Sequence, residues 1–106
     1  MVNSYLNLYL KFLRQKSNIK KPLRIVVDCS NGPAGLVLKN LKIPNSKFYI
    51  LNSKIDGRFP AHGPNPLERG AMDQATKEVL RQKADLGVVF DADADRFFVL
   101  DDQAIF

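Results

Sequence analysis

The sequence predicts an α/β fold, a layered domain with a mixed, mainly parallel sheet flanked by helices. Three observations predict it. Stripes at helical spacing alternate with short β-branched runs along the chain. One of those runs, Leu23 to Cys29, is almost continuously apolar, as strands covered on both faces are. The last two apolar runs, Val88 to Phe90 and Phe97 to Leu100, flank a short acidic segment and suit a hairpin-like end to a parallel sheet.

The first helix is expected over residues 4 to 15, with Leu6, Leu10 and Leu13 on one stripe together with Tyr9. Ser4 suits its N-cap, Lys11 and Arg14 favour its C-terminal end, and Ser17-Asn18 ends it. Leu23 to Cys29, built on Ile25-Val26-Val27, is the central strand. Ser30-Asn31-Gly32-Pro33 turns the chain into a short helix from Ala34 to Asn40. Asn31-Gly32 between strand and helix is expected to be a tight turn, with a backbone anion site as the alternative. Lys47 to Leu51 is the next strand. The stretch from Asn52 to Arg69, rich in Pro and Gly, is too long for an ordinary connection and marks a functional loop or one packed over a neighbouring surface. A third helix, Gly70 to Lys83, places Met72, Ala75, Val79 and Leu80 on one side. The element order is therefore α-β-α-β-α-β-β.

Asp91, Asp93 and Asp95 stand at alternate positions, closed by Arg96. Three carboxylates drawn to within about 4 Å would repel by roughly 4 kcal/mol per pair at an effective dielectric near 20, so their convergence calls for a cation. In an extended strand the first and third would lie about 13 Å apart, too far for one ion. A metal site therefore requires the segment to curl, which the small spacers Ala92 and Ala94 allow. The alternative is a solvated turn. All-oxygen ligands without nearby His or Cys suit Mg²⁺, Mn²⁺ or Ca²⁺ rather than zinc. An EF-hand loop is excluded, because its sixth position is Arg96 where a glycine is needed and the remaining span is apolar.

With 106 residues and 45% hydrophobic content, the chain is read as one domain spanning 1–106 with enough core to fold alone. No apolar run approaches the roughly 20 residues needed to cross a bilayer, and Met-Val-Asn-Ser-Tyr lacks the features of a signal peptide, so a cytoplasmic location and no membrane partner are expected. Cys29 is the only cysteine, which precludes an internal disulfide and suggests a buried structural thiol. The net charge of +5 is uneven: six cations and no acid precede Asp28, whereas five acids face Arg96 alone from Asp91 onward. With no RNA-binding sheet pattern and no zinc-finger spacing, no nucleic-acid partner is expected.

Taken in order, the strand ending in Asp28, Asn31-Gly32, Asp56-Gly57-Arg58-Phe59-Pro60, Pro64-Asn65-Pro66, and Ala84-Asp85-Leu86-Gly87 leading into Asp91-Ala92-Asp93-Ala94-Asp95-Arg96 resemble the second domain of the α-D-phosphohexomutases. That family includes phosphomannomutase and phosphoglucomutase. The resemblance implies reversible intramolecular phosphoryl transfer on a hexose phosphate, through a phosphoserine carried by another domain of the same enzyme. It implies Mg²⁺ as cofactor, with Asp91, Asp93 and Asp95 as its ligands beside a phosphoserine oxygen, and Arg96 as the catalytic cation next to the transferring phosphate. Three carboxylates, Mg²⁺ and Arg96 sum to zero formal charge, so the phosphoserine dianion needs further partners outside this motif, and the isolated chain is expected to be inactive. The family commonly has glycine where this sequence has Ala92, a source of strain if that position requires positive φ. The loop Phe59 to Pro66, with the single His62, lies near the family's cleft; its prolines are expected to stiffen the connection and His62 to be a surface residue or hydrogen-bond partner.

Two other functions remain compatible with parts of the sequence. An apolar strand leading into D-x-D also describes the haloacid dehalogenase-type phosphatases, with Asp91 as nucleophile and Asp93 as acid/base, although Asp95-Arg96 departs from that pattern. A basic binding module with a structural acidic loop is the non-enzymatic alternative.

Overall fold

A computed structural model describes residues 4–106. It contains α1 (Ser4–Lys16), β1 (Leu23–Asp28), α2 (Ala34–Leu38), β2 (Ser46–Leu51), α3 (Asp73–Gln82), β3 (Leu86–Phe90) and β4 (Phe97–Leu100), in the expected order. The four strands form one sheet in the order β2-β1-β3-β4. β1 runs parallel to β2, with Leu23 opposite Ser46 and Asp28 opposite Leu51, and parallel to β3, with Ile25 opposite Leu86. β4 is antiparallel to β3, pairing Gly87 with Leu100 and Phe90 with Phe97. The fold is thus α/β with a mixed, mostly parallel sheet.

The central strand is covered on both faces over Val26 and Val27, as its apolar run Ile25-Val26-Val27 requires. Val26 packs with Ala75, Val79, Ala84, Val89 and Leu100 on the α3 side. Its neighbour Val27 points the other way, to Cys29 and Ala34 on the α2 side. Strand alternation thus sends adjacent valines into separate cores. Gly87 allows the close approach of α3 to the sheet: a Cβ there would stand 2.7 Å from Val79 Cγ2.

Several details of the helices differ from expectation, among them the end of α2, which stops at Leu38 with residues 39 and 40 in a turn. In α1, Leu10 is buried and Leu6 and Leu13 are half-buried, but Tyr9 is 49% exposed and shares its face with Tyr5, Leu8 and Phe12 instead. Ser4 lies inside α1 rather than capping it. In α3, Ala75 and Val79 are buried whereas Leu80 is 54% exposed, and the residues 70–72 form turns before the helix. Leu80 follows Val79 by one position, about 100° around a helix, which carries it off the stripe. The helix ends at Lys83, whose φ of 51° is left-handed, with Ala84 N–H donating to Val79 O at 2.9 Å. Among the described residues no helix is long and apolar enough to cross a membrane.

From β1 the chain goes through α2 to β2 on one side, and from β2 it returns through α3 to β3 on the other side of β1. The C-terminal ends of β1 and β3 therefore meet at the point where strand order reverses, the place where open α/β sheets bind ligands.

Candidate metal centre

β3 ends at Phe90 and β4 begins at Phe97, so the residues 91–96 form the loop of a hairpin. Its base is closed by the Phe90–Phe97 pair and by Asp91 N–H donating to Arg96 O at 3.2 Å. Ala94 N–H donates to Asp91 O at 3.0 Å, and Ala94 adopts a left-handed φ of 62°. That turn curls the segment. One carboxylate oxygen from each of Asp91, Asp93 and Asp95 comes to lie within 4.8 Å of the others. The position that needs positive φ is the second spacer, Ala94; Ala92 is not among the left-handed residues, so the strain anticipated at Ala92 falls two residues later.

The three acids occupy different environments. Asp91 is buried at 5% exposure, while Asp93 and Asp95 are exposed. Burial works to raise the Asp91 pKa, but the Arg96 guanidinium, with hydrogen bonds from Asp95, the Arg96 backbone and Asp93, brings it down to about 2. Arg96 reaches it through Nε at 2.9 Å from Oδ2 and through its backbone N–H at 3.3 Å from Oδ1. Asp95 is pushed the other way, to about 6, first by hydrogen bonding to Asp91 and Asp93 and then by burial and their negative charge. Carboxyl groups that share hydrogen bonds must hold a proton between them, and a divalent cation can take that proton's place. The donor set, three oxygens with no nitrogen or sulfur, fits a hard cation such as Mg²⁺.

The acidic loop is gripped from outside. Ser30, with φ 53°, donates its hydroxyl to Phe90 O at 2.5 Å. Gly32 lies so close to the loop that a Cβ there would overlap Ala92 O. Ala92 N–H donates to Pro64 O at 3.0 Å, which brings the Phe59 to Pro66 segment against the site. Asn31 is buried and its polar atoms are committed: Nδ2 donates to Lys54 O at 3.0 Å and Oδ1 accepts from Ala61 N–H at 3.2 Å. The backbone N–H groups are committed too, Asn31 N–H to Asn52 O at 3.0 Å and Gly32 N–H to Cys29 O at 2.9 Å, so Asn31-Gly32 is a turn that organises a loop.

Asp28 and His62 form the contact that sequence reasoning missed. Asp28 is fully buried, and its Oδ2 lies 2.7 Å from His62 Nε2, whose side chain is 8% exposed. Asp28 Oδ1 accepts from Ser30 N–H at 2.8 Å and Asn52 Nδ2 at 3.0 Å. His62 is a hydrogen-bond partner, as anticipated, but not a surface residue. A carboxylate ending an otherwise apolar central strand was the available signal, since such a group must find donors when buried. Beside it, burial and then the negative charge of Asp28 push the Cys29 thiol up to about 12, which leaves it inert at neutral pH.

The family model for the phosphoglucomutase/phosphomannomutase α/β/α domain II matches residues 3–104. The chain belongs to that family. It is 36% identical over 93 residues to a Pseudomonas aeruginosa phosphomannomutase/phosphoglucomutase, which covers 87% of this chain and 20% of the relative. A phosphomannomutase from Escherichia coli is 35% identical over 97 residues, covering 85% of this chain and 21% of its own length. A probable phosphoglucosamine mutase of Methanothermobacter thermautotrophicus is 33% identical over 99 residues, covering 92% of this chain and 22% of the relative. The crystal structure of a phosphoglucomutase/phosphomannomutase family protein from Burkholderia thailandensis superposes with a TM-score of 0.84 at 29% identity, over 93% of this chain and 22% of the other. The chain spans about a fifth of the length of the curated relatives it matches. The family shown is that of the phosphohexomutases and not that of the haloacid dehalogenase-type phosphatases.

Proposed function

We propose that this chain, read as a single domain over residues 1–106, supplies the Mg²⁺ site of a phosphohexomutase that moves a phosphoryl group within a hexose phosphate. The observation that carries this reading is the convergence of the Asp91, Asp93 and Asp95 oxygens at the switch point of the sheet. Those three side chains would hold the cation. Bound there, Mg²⁺ would neutralise charge on the oxygens of the phosphoryl group in transfer.

The rest is the work of this chain's own residues. Asp91, buried and held ionised by Arg96, is the fixed member of the set. Asp93 and Asp95 are exposed and free to close on an ion. Arg96 is 55% exposed at its side chain, with Nε on Asp91 and the remaining guanidinium available to an incoming phosphate. The phosphoserine and the sugar sites would come from the other domains of the same enzyme, in the cytoplasm. Sequence similarity to mutases of this family supports that arrangement.

The test is a titration of the chain with Mg²⁺ and with Mn²⁺ as a paramagnetic substitute. Saturable binding at one site is expected, falling at least about tenfold in Asp93→Asn. Binding that survives loss of Asp93 and Asp95 together would rule out the acidic loop as the metal centre.

A further inference from the structure

We propose that His62 is a positioning residue for the acidic loop, acting through Asp28 and the backbone of Pro64. The inference rests on the metal-site reading only for what the loop holds; the positioning itself is a property of the chain.

The side chain of Asp28 is enclosed and engaged at both oxygens: Oδ1 accepts from Ser30 N–H and Asn52 Nδ2, and Oδ2 lies 2.7 Å from His62 Nε2. Asn52 Nδ2 also donates to Gln74 Oε1 at 2.9 Å, so Asp28 is held by the turn that follows β1 and by the start of the long loop, which is itself tied to α3. We place the proton on Nε2, where it would donate to an Asp28 oxygen. The other ring nitrogen, Nδ1, is buried with no hydrogen-bond partner among the described residues. The imidazole is therefore committed to a single polar contact, the one with Asp28.

That contact fixes the chain where it matters. One residue before it, Ala61 N–H is held by Asn31 Oδ1. Two residues after it, Pro64 O accepts Ala92 N–H at 3.0 Å. Pro64 has its own φ set by its ring, so little slack remains between the imidazole and that carbonyl. Ala92 directly follows Asp91, and its amide is one of the points at which the acidic loop is held from outside the hairpin, the one that the long loop supplies. The strand ends alone leave this amide free, because hairpin pairing stops at the Asp91–Arg96 bond. His62 thus reaches the metal ligands without touching them, as residues that orient ligands commonly do.

Three variants and one measurement on the unmodified protein test this on the 106-residue chain. In His62→Phe, which keeps an aromatic ring but removes the donor, Ala92 amide exchange in chelator should accelerate and Mn²⁺ affinity should fall about tenfold. His62→Gln can place an N–H on Asp28 and should restore most of both. Val79→Ala, which loosens the core beneath α3, should leave Mn²⁺ affinity unchanged. Equal losses in His62→Phe and His62→Gln, or wild-type behaviour in a folded His62→Phe, would overturn the proposal. Should His62→Phe not fold, nitrogen-15 spectra of the wild-type imidazole, the only one in the chain, decide: a protonated Nε2 in slow exchange supports it, and a proton on Nδ1 alone overturns it. A chain that binds no Mn²⁺ yet shows Ala92 exchange dependent on His62 refutes the metal reading and sustains the positioning role.

Discussion

Asp95 is the residue at which the acidic loop works against itself. Its carboxyl titrates near 6 because Asp91 and Asp93 crowd it, whereas in an unfolded chain it would titrate near 3.8. Between those values the folded chain holds a proton that the unfolded chain has released, so stability declines as pH rises through this window and stays lower above it. Asp91 has the opposite sign: its pKa of about 2 contributes stability that is present above 3.8 and is lost only as pH falls toward 2. In chelator, the melting temperature of the wild-type chain should fall between pH 4 and 6.5 relative to Asp95→Asn, and thermal melts across that range check it. Saturating Mg²⁺ should cancel the difference at pH 7. The acidic triad was legible in the sequence because its members are close along the chain and chemically alike. The Asp28–His62 pair was not, since its partners are separated by 34 positions and only the folded path of the long loop brings them together.

At the scale of elements, α3 and β3 depend on a single missing side chain. Gly87 sits under Val79, and an added methyl would press on a stiff, β-branched neighbour at 2.7 Å, with Leu100 Cδ1 at 3.4 Å. Gly87→Ala should cost about 1–3 kcal/mol through overpacking. Val79→Ala alone should cost about 2 kcal/mol through the cavity it leaves. The pair together should cost clearly less than the sum, because each substitution relieves the other; urea denaturation of the four proteins measures the coupling. Strand positions were readable from β-branched runs, and Val26 and Val27 show why: burial on both faces leaves no room for a polar residue between them. Helix faces were read less well. Leu80 and Tyr9 are apolar and adjacent to the true stripes, and a one-residue step on a helix is enough to turn an apolar side chain to the surface. The helix α2, only five residues long, offers too few positions for its period to be seen.

For the whole molecule, the proposed chemistry is distributed more widely than this fold. Arg96 is the only cation within the acidic loop, and with Mg²⁺ it does no more than balance the three carboxylates. A dianionic phosphate arriving there needs further donors. The isolated chain should therefore show no interconversion of hexose phosphates under saturating Mg²⁺, even where it binds the ion; a coupled assay that detected sustained turnover would contradict the division of labour proposed above. The close contact between Gly32 and Ala92 has a different kind of consequence, one for the tolerance of the sequence to change. Because Ala92 O occupies the space where a side chain at position 32 would begin, every residue other than glycine is barred there as long as the acidic loop keeps its path. The reverse does not hold, since it is the carbonyl and not the methyl of Ala92 that fills that space. Drift at the two positions is thus unequal, and a saturation library should find position 32 closed and position 92 open to its smaller neighbour.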